Sequence, residues 1–190
     1  MKSIRAFIAV SIREATDGSL PVLARVQRQL GEMNRAVKAV AADQQHVTLK
    51  FLGDTQPQRI ADVARVLSDV ILAHHAFCTR LFGVGAFPHA ERPSVIWAGL
   101  DEAETLCEIA SDLEARLEEF GFAREGRAFH PHLTLARIKR RPPAELFDSL
   151  DEYKTAEFGT VSIERVELIK SELSPDGPIY TRLAACDLAS

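Results

Sequence analysis

The amino-acid sequence predicts a single α+β domain, residues 1–190, built as two lobes related by a pseudo-two-fold axis. Three observations predict it. An alternating strand with a His two residues before a Thr occurs twice, at His46-Val47-Thr48-Leu49 and at His132-Leu133-Thr134-Leu135. Each copy sits in the same order of elements (strand, helix, His/Thr strand, helix, strand), dividing the chain into pseudo-repeat halves of roughly 1–92 and 93–190. No Pro-rich or low-complexity linker separates the halves, so they are expected to form one body around a shared cleft. Two units are too few for a solenoid, which needs at least three.

In chain order, Ile4 to Val10 reads as a strand, followed by a polar loop and a helix from about Leu20 to Met33. Leu20, Leu23, Val26, Leu30 and Met33 give that helix its 3.6-residue apolar stripe. Arg35 to Ala42 is expected as a second strand and Gln45 to Leu52 as the first His/Thr strand, closed by Gly53-Asp54. Pro57 opens a helix whose stripe is Ile60, Val63, Ala64, Leu67, Val70 and Ile71, with Pro at a permitted first-turn position. Phe77 to Phe87 is strand-like despite Gly83 and Gly85, and Ser94 to Leu100 is another strand. A helix from about Glu102 to Phe120 presents Leu106, Ile109, Leu113, Leu117 and Phe120 on one face and ends at Gly121. After the second His/Thr strand, Pro142-Pro143 starts a short helix to about Tyr153. Val161 to Leu173 is expected as one long strand, and Ser174-Pro175-Asp176-Gly177-Pro178 as a turn returning to a last strand, Ile179 to Ala185.

Composition narrows the function classes. Of 190 residues, 46% are hydrophobic and 26% charged, an ordinary globular balance. No apolar run approaches the ~20 residues of a membrane helix. At the N-terminus Arg5 interrupts too short an apolar stretch for a signal peptide, so a first strand is expected there. Cys78, Cys107 and Cys186 lack metal or redox spacing and suit reduced, packed thiols in a cytoplasm. A net charge of −4 is unlike a general nucleic-acid binder. The local run Arg137-Ile138-Lys139-Arg140-Arg141 nevertheless puts four cations after the second His/Thr strand. It reads either as a solvated loop or as a short nucleic-acid contact.

Strict alternation puts His46, Thr48 and Lys50 on one strand face and Val47, Leu49 and Phe51 on the other. His132 and Thr134 share a face in the same way. A single His beside a Thr in a strand is usually structural; the repeat at equivalent places in two halves points to a joint site. Histidine exists in neutral and protonated forms near neutrality, with an unperturbed pKa of ~6.5. One imidazole can therefore accept a proton from a nucleophile while the other donates to a leaving oxygen. The hydroxyls of Thr48 and Thr134 can hold phosphoryl oxygens, and Arg137 can add a charge-assisted contact. This chemistry needs no metal and no cofactor. The rival is a metal site using His46, His130 and His132, for which no acidic or Cys residue lies in a ligand pattern beside the strands. Alternation also sets Arg137 opposite His132 and Thr134, so it reaches the site only if the strand ends, twists or bulges near Ala136.

The segments Gln45-His46-Val47-Thr48-Leu49-Lys50-Phe51-Leu52-Gly53 and Phe129-His130-Pro131-His132-Leu133-Thr134-Leu135-Ala136-Arg137 resemble the paired His-x-Thr-x signatures of the 2H phosphoesterase superfamily. The resemblance is to its RNA 2′,3′-cyclic phosphodiesterase branch, the 2′-5′ RNA ligase family. It extends from Arg5-Ala6-Phe7-Ile8-Ala9-Val10 to the segment Ser171 to Tyr180. It implies a two-lobed fold with antiparallel sheets lining a central cleft and helices packed outside. It further implies metal-independent hydrolysis of RNA 2′,3′-cyclic phosphate ends to 2′-phosphates. His46 would match the proton donor, His132 the proton acceptor, and Thr48, Thr134 and Arg137 the phosphate-binding positions. Joining RNA ends by a 2′-5′ bond is the formal reverse reaction. A non-catalytic RNA-end binding module is the alternative from another class.

Phe7 and Trp97 open the two half-repeats and could stack on a base or pack in the core. Tyr180 could stack or hydrogen-bond in the cleft, and Lys50 could contact phosphate or solvent. His74, His75 and His89 read as structural or surface residues. The expected partners are RNA 3′ ends bearing a 2′,3′-cyclic phosphate, or small cyclic-phosphate nucleotides, with no membrane. The oligomeric state is left open, with a monomer favoured, and a cytoplasmic location is expected.

Overall fold

A computed structural model describes residues 3–12, 20–33, 35–175 and 177–190 of the chain. The polar loop expected after the first strand, and Asp176 of the expected turn, lie outside the described residues.

Strand β1 (Ile4–Ser11) has two apolar faces with different destinations. Ala6, Ile8 and Val10 enter the main core, whereas Phe7 and Ala9 pack with Ile169 and Tyr180 in a separate small cluster. Helix α1 (Pro21–Glu32) buries Leu23, Val26 and Leu30, as its stripe predicts, with Pro21 in the first turn where the missing N–H costs nothing. Strand β2 is only Val37–Ala39, shorter than expected, and a 3₁₀ turn at Ala42–Gln44 begins at the last residue of the expected strand. The reason is topological: β2 belongs to one sheet and the next strand, β3 (His46–Thr55), to the other.

β3 does not close at Gly53. Gly53 takes φ +63°, which glycine adopts without penalty, and the strand continues to Thr55. A 3₁₀ turn at Pro57–Arg59 precedes helix α2 (Ile60–Ile71), which buries Val63, Val66, Leu67, Val70 and Ile71. Strands β4 (Phe77–His89) and β5 (Arg92–Asp101) form a hairpin. Helix α3 (Glu104–Glu119) buries Leu106, Ile109, Ala110, Leu113 and Leu117. Gly121 ends it at φ +75°, and the N–H of Phe122 bonds back to the Leu117 carbonyl at 3.0 Å. Strand β6 (His132–Ile138) and helix α4 (Ala144–Glu152) follow.

The long strand expected from Val161 to Leu173 is two strands, β7 (Glu157–Ile163) and β8 (Arg165–Ser174), in different sheets. Apolar alternation runs through both, but its phase slips at Glu164: Val161 and Ile163 are buried before it, Val166 and Leu168 after it. Strand β9 (Gly177–Asp187) then returns along β8.

The sheets have strand orders β3-β1-β8-β9 and β2-β6-β5-β4-β7, and every pairing between strands is antiparallel. The first sheet joins β1 and β3 to β8 and β9 from the two ends of the chain, and the second joins β2 to β4, β5, β6 and β7. Helices α2 and α3 pack behind the first sheet and α1 behind the second, and all four helices contribute to one continuous core. A fully buried Leu or Ile contributes ~1.5–3 kcal/mol, so this core dominates stability. The sheets meet where β3 approaches β6, bringing the two His/Thr strands together without a ladder between them. Among the described residues, no helix is long and apolar enough to cross a membrane.

Candidate active site

The two His/Thr strands share one irregularity. Along β3, Thr48 pairs with Ala9 and Lys50 with Ile8, leaving Leu49 as an extra residue. Along β6, Thr134 pairs with Trp97 and Ala136 with Ile96, leaving Leu135 extra. A β-bulge therefore follows the Thr in each copy, and it resets the alternation. Both strands start with the same burial sequence: half-buried His, buried apolar residue, half-buried Thr, two buried residues, then an exposed one.

The bulge decides two predicted site residues in opposite ways. Lys50, expected beside His46 and Thr48, is instead 2% exposed and turned into the protein, where its Nζ donates to Glu114 Oε2 at 2.7 Å and to the Ala123 carbonyl at 2.6 Å. Arg137, set opposite the site by strict alternation, is returned to it. Its charge acts on His46, His132 and Tyr180 alike.

Each catalytic-candidate imidazole is held by the chain just before it. His46 Nδ1–H donates to the Gln44 carbonyl at 2.8 Å, and His132 Nδ1–H to the His130 carbonyl at 2.7 Å. A carbonyl only accepts, so in both rings Nδ1 carries the proton and Nε2 is left for chemistry. His46 lies on Phe7, ring centroids 4.9 Å apart, with Tyr180 edge-on at 5.3 Å. His132 meets Phe87 edge-on at 5.0 Å, and Trp97 lies 6.4 Å away. The arrangement is parallel in the two lobes: one imidazole, one backbone carbonyl, an aromatic wall.

Burial in these aromatic surroundings pushes both imidazoles below their ordinary pKa. For His46 the desolvation is opposed by the Gln44 carbonyl and reinforced by Arg137 and by His132. For His132 it is opposed by the His130 carbonyl and reinforced by His130 and Arg137. Burial raises the Tyr180 phenol against the pull of Arg137 and Arg5. The Arg137 charge makes this part of the site electropositive, a setting that favours a bound phosphate.

Thr48 and Thr134 are half-buried, and among the described residues neither hydroxyl has a protein partner. Phe7, a candidate base platform, is 4% exposed and serves instead as the floor under His46. Trp97 is half-buried and packs on Phe87 and His130. Tyr180 stands at the cleft beside His46. The metal trio His46, His130 and His132 is not assembled: among the described residues no group of three His, Cys, Asp or Glu side chains converges. Reading the sequence missed Arg5, Phe51 and Phe87. Arg5 lies two residues before Phe7 on the same strand face, a period-two signal that was available. Also missed was a polar cavity of about 170 Å³ beside His46, walled by Ser11, Asp43, Glu167, Tyr180 and Arg182. There Glu167 accepts from Ser11 Oγ at 2.6 Å and from Arg182 at 3.0 Å.

The profile of the 2′-5′ RNA ligase superfamily matches residues 21–175. The chain belongs to that superfamily. Superfamily members similar to it include the RNA 2′,3′-cyclic phosphodiesterase of Methanothermobacter thermautotrophicus, 33% identical over 94% of this chain and 95% of that protein. The protein of the same name from Aeropyrum pernix is 36% identical over 88% of this chain and 96% of its own length. Among solved structures, TT0787 of Thermus thermophilus superposes with a TM-score of 0.82 at 30% identity, covering 97% of each chain. The superfamily's two-lobed α+β arrangement, the 2H phosphoesterase fold, is the fold of this chain.

Proposed function

We propose that the protein hydrolyses RNA 2′,3′-cyclic phosphate termini to 2′-phosphates by two-histidine acid–base catalysis, without a metal. The observation that carries this reading is the matched pair of imidazoles, each with Nδ1–H committed to a backbone carbonyl and Nε2 left over. The names of the relatives, which are RNA 2′,3′-cyclic phosphodiesterases, supply the substrate class.

In the proposed step, water attacks phosphorus and its proton passes to His132 Nε2. The P–O3′ bond breaks, and O3′ takes the proton from protonated His46 Nε2. The products are a 2′-phosphate and a 3′-hydroxyl, and proton exchange with solvent resets both rings. Thr48, Thr134 and Arg137 hold the non-bridging oxygens, where charge accumulates in the transition state. Each acid–base partner contributes about 10² to 10⁴-fold. If a 5′-hydroxyl replaces water, the same groups catalyse formation of a 2′-5′ bond.

The experiment is an assay of a dinucleotide with a 2′,3′-cyclic phosphate end, with product analysis, in excess chelator. A 2′-phosphate product at full rate is expected. Activity lost to chelator and restored by zinc would replace this mechanism by a metal-dependent one, and binding without turnover would make the protein an RNA-end binding module.

A further inference from the structure

We infer that the edge formed by β2 and the segment after β6 is a backbone track for single-stranded RNA leading into the cleft. The preferred substrate is then an oligonucleotide ending in a cyclic phosphate rather than a cyclic mononucleotide. The inference rests on the cyclic-phosphate reading of the site and extends it to the nucleotides on the 5′ side of the terminus.

Six cations converge on this edge: Arg35, Lys38, Arg137, Lys139, Arg140 and Arg141, all exposed. The pairing explains why they are together. Lys38 stands opposite Arg137 in the β2–β6 ladder, so the two side chains leave the same face. Beyond the ladder, the N–H groups of Lys139 and Arg140 both donate to the Ala36 carbonyl, at 2.7 and 3.4 Å. These bonds pin the end of β6 against the turn that carries Arg35. Two segments a hundred residues apart in sequence thus present one basic surface, continuous with the Arg137 that acts on both imidazoles.

Most of this charge is not used internally. Among the described residues, Arg35, Lys139, Arg140 and Arg141 meet no carboxylate, while Arg25, Arg80, Arg124, Arg165 and Arg182 elsewhere on the surface each do. A protein of net charge −4 that concentrates such cations beside a phosphate site has a local polyanion footprint rather than a global one. An RNA strand is the polyanion whose own end must enter that site. An acidic protein would match the charge but has no reason to be continuous with Arg137.

The test compares kcat/KM for a cyclic mononucleotide with that for a series of oligonucleotides sharing the same 3′ end, at low and moderate salt. The Lys139→Ala/Arg140→Ala/Arg141→Ala variant is assayed in parallel, and binding of labelled RNA is followed by fluorescence anisotropy. The expected result is a kcat/KM that rises with length through KM and then levels off. Its salt dependence should steepen with length, by about 0.7 in log–log slope for each phosphate engaged. The triple variant should lower the oligonucleotide value by about tenfold, the combined effect of three exposed charge contacts. The mononucleotide value should move less than about twofold. Equal rates and equal salt slopes for mononucleotide and oligonucleotide would overturn the track, as would a triple variant that lowers both alike. RNA that binds through these residues but is never hydrolysed would sustain the track and overturn the catalytic reading instead.

Discussion

Lys50 Nζ lies 2.7 Å from Glu114 Oε2, joining the first His/Thr strand to α3 inside the protein. The Lys50 side chain is 1% exposed and the Glu114 side chain 19%. The same ammonium donates to the Ala123 carbonyl at 2.6 Å, and the same carboxylate oxygen accepts the Glu125 N–H at 3.3 Å. The pair therefore fastens the loop that runs from α3 toward His130 and His132. Breaking one partner of a buried pair typically costs ~3–5 kcal/mol, because the other charge stays buried and unpaired. Lys50→Met should lower the free energy of unfolding by that order, and Lys50→Met/Glu114→Leu should recover much of it. Denaturant titration of the two variants decides: a double variant no more stable than the single would mean the pair does not act as a unit.

Replacing either imidazole should remove nearly all turnover while leaving phosphate affinity largely intact. His46→Asn and His132→Asn are each expected to lower kcat by about 10² to 10⁴-fold. If one of the two retained wild-type kcat, the division of labour between donor and acceptor would be wrong.

The pH dependence follows from the direction of the shifts. Both imidazoles lie below 6.5, chiefly through burial. On the proposed two-histidine mechanism the free enzyme reacts with one ring protonated and one neutral, so the bell in kcat/KM should centre on the acid side of about 6.5. A bound phosphate anion favours imidazolium, so the bell in kcat should lie at higher pH. Arg137→Met removes a positive charge that lowers both rings; their NMR titrations should move up in pH while kcat/KM falls by ~10 to 100-fold. Stability carries the same sign. The unfolded chain binds more protons than the folded one between the lowered values and about 6.5, so stability should decline as pH falls through that window. A wild-type kcat/KM bell centred above pH 7 would contradict the burial of the rings.

The site residues are legible in the sequence to different depths, for a physical reason. A period-two reading assumes an unbroken ladder. It puts His46 with Thr48, and His132 with Thr134, on one strand face because each pair precedes its bulge, and it misplaces Lys50 because Leu49 takes no partner. On that reading Arg137 needs a bulge near Ala136, and the extra residue is its neighbour Leu135. Helices are read well, since each apolar stripe is local and self-consistent. The β7–β8 break is missed because alternation continues through Glu164 with only its phase changed. The β2 shortfall has the same origin: nothing in the residues from Val40 to Ala42 reports that the chain must leave one sheet for the other.

Gly85 offers the most direct test of the wall behind His132. It pairs with Trp97 across β4 and β5, and the indole occupies the space where a side chain at this position would go. A Cβ added at Gly85 would come within 2.3 Å of Trp97 Cη2 and Cζ2, atoms of a rigid ring that cannot bend aside. The ring itself is wedged, its centroid 5.2 Å from Phe87 and 5.1 Å from His130, whose carbonyl positions His132. Gly85→Ala should therefore cost ~1–3 kcal/mol of overpacking strain. It should also lower kcat, because the displaced indole moves the backbone that holds His132 Nδ1. Gly85→Ala/Trp97→Phe supplies a smaller ring and should restore both quantities in part. Thermal midpoints and kcat for the single and double variants check this. A single variant with wild-type kcat and midpoint would mean that Trp97 can shift freely and that His132 does not depend on it for its position.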